Sequence, residues 1–567
     1  MALRPGALLA ALLALATYAG TARYGFVYDD HPVVRANPAA HDPLDWRAIA
    51  ATPSWGAHNY RPLTTWTFAA QYALHGPWAS GYHLVNVALH AAVSGLVVLT
   101  AGALGASVPA AWIAGALFAV HPVHTEAVAG IVGRAELLCA LFMLLALGAH
   151  VRGDRAGWPW PSVVAVVACT AAGLLCKEYA FMLVVGLPVL DLLVRDDGSP
   201  ARFHAGLRTR RTLVYAAVAI VAIAWLALRH AVRLHVAFAL QPWMNPLAFV
   251  PAPVRVLTAL RVQALAMRLL VLPFGLSPDY SGATIPLVTS LHDAAALVGV
   301  AAAAGVALLA VILWRRSRLA LFWLVFAALA WAPVSNLLVA VWTIFGERLL
   351  YLPSIGVCVL AGMALDGACA RLERPRLAAL VAAGAVAAWM TGAQRAHAIW
   401  RNDLTLARAM VARAPESAHA HFVLGTILAK RGDLGAALAE FASSERLSPD
   451  YVGNLYNAGL ARRARREYAA ARRLLRRAVR LEPRNAAAWT ALAATENDLG
   501  RPARALALLQ HAHALVPPWA PLEVERGLTL HALGRRQDAA VAFRDALRLD
   551  PTEPIAQRAL AQALPRT

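Results

Sequence analysis

Apolar residues fill long blocks over the first two-thirds of the chain and fall into short, evenly spaced clusters over the last third. Blocks long enough for membrane-spanning helices lie near 6–23, 84–104, 107–121, 133–151, 161–177, 179–194, 212–230, 291–313, 319–340, 350–370 and 377–394. They predict about eleven spans. The stretch 254–274 is also apolar but carries Arg255, Arg261 and Arg268. If it crossed, Arg315, Arg316 and Arg318, and with them the arginines at 371–376 two spans later, would lie on the side opposite the arginines at 152/155 and 195–211. Short Arg-rich loops stay inside, so 254–274 is predicted to be an interfacial amphipathic segment on the outer face. With an inside N-terminus, the 24–82 loop, 121–126, 177–178, the 231–290 loop and 346–348 then share the outer face, and the chain after about residue 395 follows them.

In the last third, prolines recur at Pro415, Pro449, Pro483, Pro517 and Pro551, a 34-residue step that matches the tetratricopeptide period. Gly425, Gly459 and Gly527 keep phase as the small residue of a first helix. Ala437, Ala471, Ala505 and Ala539 do so for a second, and Phe441, Leu475, Leu509 and Phe543 are placed to pack between them. The predicted fold is all-α. It comprises a polytopic membrane domain over 1–394, a connecting segment over 395–414, and four helical repeats with a capping helix over 415–567. Such an array offers a concave surface to an extended polypeptide, or serves only as an assembly scaffold.

Composition narrows the class. Hydrophobic residues make up 59% and charged residues 15%, and mean hydropathy is +0.54, which excludes an ordinary soluble enzyme. The net charge of +20 is almost wholly arginine, since the only lysines are Lys177 and Lys430. This usage suggests a bacterial source. The basic residues read as topology signals and a solvated face of the repeats, with no nucleic-acid partner. The five cysteines lie in or beside apolar segments without a CxxC pair and read as buried small hydrophobes. The N-terminal block lacks a cleavage signature and reads as a retained anchor.

Candidate chemistry starts at Asp29-Asp30, directly after the first block. Adjacent carboxylates at the mouth of a membrane helix need water, a cation or a reacting group. They could act as a general base, hold a divalent cation, or simply form a hydrated turn. His83, with Asn86 and His90, forms a polar stripe on the second span, suited to an interhelical hydrogen-bond seam or, for His83, to the site. His121, His124 and Glu126 have spacing that could ligate a metal, though no third firm ligand accompanies the histidines. Arg134 and Glu136 are a structural pair or a phosphate clamp. Lys177-Glu178, Arg61 and Glu347-Arg348 offer the same choice between interfacial anchoring and phosphate binding. No P-loop, HExxH or GxSxG occurs.

Taken together, FVYDDHPVVRANP (26–38), YHLVNVALH (82–90), HPVHTEAVAGIVGRAELL (121–138), KE (177–178), LSPDYSGATIP (276–286) and ERLLYLPSIG (347–356), followed by the repeats, resemble the transmembrane and tetratricopeptide-repeat O-mannosyltransferases of the multispanning GT-C type. The resemblance implies a polyprenyl- or dolichyl-phosphate-linked mannose donor and a Ser or Thr acceptor on a protein presented by the repeats. It places Asp29 and Asp30 at the catalytic motif and adds Asp279 and Tyr280 to the candidate residues. The expected reaction is inverting transfer with Asp29 as base and Asp30 orienting the acceptor or holding a cation. Arg134, Lys177 and Arg348 are candidates to offset phosphate charge. The expected location is a bacterial inner membrane with site and repeats in the periplasm, or the endoplasmic reticulum membrane in a eukaryote. En bloc oligosaccharide transfer and a non-enzymatic membrane scaffold are the alternatives.

Overall fold

The computed structural model describes residues 2–52, 59–233 and 240–563. Positions 53–58 of the first outer loop, 234–239 of the 231–290 loop and 564–567 of the expected cap lie outside the described residues. Among those described, every regular element is helical. The chain divides into two compact units, Met1–Ala409 and Met410–Thr567, and the division falls within helix Asp403–Arg413.

Seven helices among the described residues of the first unit are long and apolar enough to cross a membrane. They are Leu3–Arg23, Ala79–Ala103, Ile131–Arg155, Arg211–Val232, Ala294–Arg316, Glu347–Arg371 and Arg376–Arg401. Val108–Val120, Trp160–Cys176 and Arg318–Val334 are shorter apolar helices. The chain is an integral membrane protein. The helix Ala252–Val271, over the stretch carrying three arginines, packs beside Ala294–Arg316.

Two predicted spans differ from continuous helices. The 179–194 block is a short 3₁₀ segment (Glu178–Met182), an α-helix Leu183–Leu190 containing Pro188, and a wide turn Asp191–Arg195. Pro188 has no amide proton to donate in the helical ladder, which favours such a change of pitch. The 319–340 block stops being α-helical at Trp331. Asn336 there takes φ +58. Its side chain accepts from the Val341 amide at 2.9 Å and donates to the Thr343 and Ile344 carbonyls. An Asn that closes a local loop this way competes with helix continuation.

The apolar core of the first unit runs through Phe118, Leu137, Leu144, Trp323 and Tyr351, all buried. Its central helix for present purposes is Arg134–Arg155, 22 residues and so about 33 Å long at 1.5 Å per residue. Charged groups gather at both of its ends.

The second unit is four antiparallel helix pairs. They are Ala418–Lys430 with Leu434–Leu447, Val452–Ala464 with Tyr468–Leu481, Ala486–Asp498 with Pro502–Leu515, and Ala520–Ala532 with Arg536–Leu549. Helix Pro554–Ala563 follows. The phased glycines are where the partner helix drives a side chain in. A Cβ on Gly425 would come within 2.7 Å of the Phe441 ring, on Gly459 within 2.7 Å of Leu475, and on Gly527 within 2.5 Å of Phe543. Side-chain caps at Ser417, Asp433 and Asn485 bond to the third residue onward and start their helices.

Candidate functional site

The two adjacent aspartates have opposite surroundings. Asp30 is buried, and both its oxygens are engaged. Oδ2 accepts from the Val27 amide and Oδ1 from the Val132 amide, each at 3.0 Å. It ties the first loop to the turn that starts helix Arg134–Arg155. Burial pushes its carboxyl up to about 7, although the two amides pull it down. Asp29 is half-buried, and no described residue is hydrogen-bonded to its carboxylate. Burial raises it to about 6; the positive Arg348 opposes that rise and Glu126 adds to it.

The backbone that presents Asp29 is held from a distant part of the sequence. Tyr28 has φ +50, a conformation that costs a non-glycine residue energy unless its surroundings enforce it. Its amide donates to Asp403 Oδ1 at 2.9 Å, and His31 Nε2 lies 2.8 Å from Asp403 Oδ2. Asp403 thus clamps both neighbours of the aspartate pair. No local sequence pattern marks it, and it lies in the stretch read as a connecting segment.

Around Asp29, residues far apart in sequence form three cation–carboxylate pairs. Arg348 donates through its backbone amide to Glu126 Oε2 at 2.9 Å and through its guanidinium to Oε1. Lys177 pairs with Glu136 and sits 4.6 Å from the centre of the Tyr179 ring. Arg61 lies 3.3 Å from Glu178. Burial works to raise the Glu178 carboxyl, but Arg61 and Lys177 outweigh it and hold it at about 2. These pairs form one electrostatic neighbourhood. Arg348 acts on Asp29, Glu126 and Glu136, and Tyr179 feels Glu136, Glu178, Arg61 and Arg348. Asp29 is the fourth carboxylate beside three cations.

The remaining candidates are placed differently. Arg134 is fully buried and does not pair with Glu136. Its guanidinium donates to Asn86 Oδ1 at 2.9 Å and the Tyr82 carbonyl at 3.1 Å, and stacks 4.5 Å from the centre of the Phe68 ring. The phosphate-clamp reading of Arg134 therefore has no free fork to use, and its expected pairing with Glu136 is corrected to Glu136–Lys177. His83 Nε2 is 3.3 Å from the Gly25 carbonyl, behind the loop. His121 Nε2 lies 3.1 Å from the Leu270 carbonyl, and His124 Nε2 lies 2.8 Å from Ser354 Oγ. Burial drives His124 well below the ordinary imidazole value. These ring nitrogens meet protein partners, and no group of three or more His, Cys, Asp or Glu among the described residues is arranged to hold a metal ion. Glu347 Oε1 accepts from the Ser277 amide at 2.6 Å and from the Tyr280 hydroxyl at 2.8 Å. Asp279 caps Ser281 through its amide and hydroxyl. These three pin the 277–281 turn against the start of helix Tyr351–Arg371.

Fold and site together define a multispanning membrane protein with a carboxylate-centred polar cluster at one end of its bundle, followed in the chain by a tetratricopeptide array. The family profile described as "Protein O-mannosyl-transferase TMTC, DUF1736" matches residues 239–307, and "Tetratricopeptide repeat" matches 404–452 and 456–518. "Protein O-mannosyl-transferase TMTC3" of Mus musculus is 28% identical over 93% of this chain and 62% of its own length. "Protein O-mannosyl-transferase Tmtc2" of Drosophila melanogaster is 36% identical over 50% of this chain and 31% of its own. The crystal structure of YrrB, "a TPR protein with an unusual peptide-binding site", is similar over 28% of this chain and 81% of that one, at 21% identity and a TM-score of 0.24. The chain is similar, over its membrane and repeat parts alike, to proteins named as transmembrane and tetratricopeptide-repeat O-mannosyltransferases. It spans less than two thirds of the length of the curated relatives it matches.

Proposed function

We propose that this protein transfers a mannosyl group from a polyprenyl-phosphate lipid to a Ser or Thr hydroxyl of a protein, on the periplasmic side of a bacterial inner membrane. The names its relatives carry support the reaction class. The observation that carries the assignment is Asp29, a half-buried carboxylate without a hydrogen-bonded partner among the described residues, raised to about 6 and facing Arg348. A base works best when its pKa lies near the operating pH and its oxygen is open to the substrate. Asp29 takes the proton of the acceptor hydroxyl as its oxygen attacks the anomeric carbon. The carbon–oxygen bond to the lipid phosphate breaks, and that electron pair leaves with the phosphate, inverting the anomeric centre.

Arg348, Lys177 and Arg61 are the cations placed to offset phosphate charge. Arg61 has a further argument: its buried Nε has no hydrogen-bond partner among the described residues. Asp30 acts through the backbone, by fixing the turn that presents Asp29. In this function residues 1–394 carry the chemistry, 395–414 connect, and 415–567 bind the acceptor. The helix Ala252–Val271 lies at the outer interface in this reading.

Asp29→Asn keeps the shape and removes the basicity. Mannosyl transfer from a purified lipid-phosphate donor to an acceptor peptide should fall about 10²- to 10⁴-fold, with unfolding free energy changed by no more than about 0.5 kcal/mol. Full transfer by this variant would remove Asp29 from the chemistry.

A further inference from the structure

The end of the bundle opposite Asp29 holds a second, unrelated feature. A cavity of about 650 Å³ opens where helix Ala294–Arg316 meets helix Arg318–Trp331, beside the 193–197 turn. Arg315, Arg316, Arg318 and Trp314 line it, with Asp197 as the one carboxylate among the lining groups. None of the three arginines forms an ion pair among the described residues. Arg318 is set in place with some care. Its guanidinium stacks 3.6 Å from the centre of the Trp314 ring. Gly198 makes room on the other side, for a Cβ there would come within 2.9 Å of Arg318 Nε. Stacking leaves the in-plane N–H edge of a guanidinium for a planar or tetrahedral oxyanion. Arg318 Nη1 is buried and has no hydrogen-bond partner among the described residues.

We infer that this cavity binds the phosphate of an anionic lipid headgroup. Charge and geometry account for the phosphate; the helix beneath accounts for the lipid. Ala294–Arg316 is the least buried of the seven long apolar helices, with 11% of its most apolar window covered. Leu308, Val311 and Ile312 stand exposed in the last turns before the arginines. A lipid with its phosphate in the cavity can lay its acyl chains along these side chains, which a free phosphate cannot exploit. Net basic groups at the membrane surface attract anionic headgroups, and a stacked Arg adds direction to that attraction. The site does not depend on the glycosyl-transfer reading, because its residues share nothing with the Asp29 cluster.

The test uses the full chain in a neutral detergent, with lipid retention read by native mass spectrometry and by the thermal shift on lipid addition. Phosphatidylglycerol should be retained and should raise the melting temperature, whereas phosphatidylcholine should do neither. Arg315→Gln/Arg316→Gln alters two exposed side chains and should weaken phosphatidylglycerol binding about tenfold or more. Arg318→Lys keeps the charge but loses the fork, and should weaken it too. Arg371→Gln/Arg374→Gln, at exposed arginines elsewhere, should leave it unchanged. Equal binding of phosphatidylcholine, or unaltered phosphatidylglycerol binding by both cavity variants, would overturn the inference. A shift of equal size with inorganic phosphate alone would overturn the lipid assignment in favour of a soluble anion.

Discussion

The two ends of helix Arg134–Arg155 carry charge in contrasting ways. At the far end, Arg211 holds three aspartates: Asp154 at 2.8 Å, Asp196 at 2.7 Å and Asp191 at 3.4 Å. Arg195 also binds Asp154, and His150 Nε2 lies 2.9 Å from Asp191. Each carboxylate there has a cationic or histidine partner from another element, so the cluster cross-links the helix end. At the near end, three cations are matched to Glu126, Glu136 and Glu178, and Asp29 is left over. A buried ion-pair network whose charges are matched has little left with which to act on a substrate. An unmatched, raised carboxylate beside a cation is where chemistry is expected.

The largest stability effect that can break this contrast is at the far end. Arg211→Gln leaves Asp196 without its cation and weakens Asp154 and Asp191, so unfolding in detergent should become easier by about 3–5 kcal/mol. The protein that remains folded should carry out the proposed transfer at a near-normal rate. A stable Arg211→Gln variant with depressed transfer would mean that the far cluster serves the reaction.

Asp30 sharpens the contrast within the pair. In Asp30→Asn one amide oxygen must serve two backbone donors, and the new NH₂ group opposes one of them. The cost should be about 1–3 kcal/mol, read by thermal melting, with transfer falling because Asp29 is displaced. An Asp30→Asn variant that melts normally yet loses transfer like Asp29→Asn would exchange the two roles.

The pH profile follows from the sign of the Asp29 shift. In the proposed role Asp29 acts only when ionised, so transfer should fall about tenfold per unit as pH drops below about 6. Glu178, held at about 2, stays charged through that range and contributes no step. In Asp29→Asn the residual rate should lose this acid limb. Persistence of the same limb in the variant would assign it to another group.

The smallest effect is expected at Asp403. Its pair with His31 is about one-third exposed on both sides, so Asp403→Asn should cost no more than about 1 kcal/mol. Weakening of the bond from the Tyr28 amide, whose acceptor becomes a neutral amide oxygen, should still lower transfer by a few fold, since a strained turn relaxes when its restraint is loosened. Unchanged kinetics would show that Asp30 alone positions the loop.

Local features of the chain were readable without coordinates. The repeat period, the phased glycines and their Phe or Leu partners, and the apolar blocks depend on neighbours in sequence or on a fixed helical spacing. The aspartate pair stood out because charge beside a membrane helix is costly. The partners were not readable. Arg134 and Glu136 are two residues apart and so face different sides of the helix. Arg134 turns to Asn86 and the Tyr82 carbonyl, and Glu136 to Lys177. Nothing local separates Asp29 from Asp30 either.

What the sequence determined by itself is therefore the all-helical membrane bundle, the four repeats and the short list of residues able to do chemistry. Tertiary structure alone decided which of those residues are engaged. Val132 comes to Asp30 from 102 positions away and Asp403 comes to His31 from 372. Hydrogen bonds and ion pairs act over a few ångströms, so only the packed helices determine which carboxylate is satisfied by backbone amides and which is left open beside Arg348.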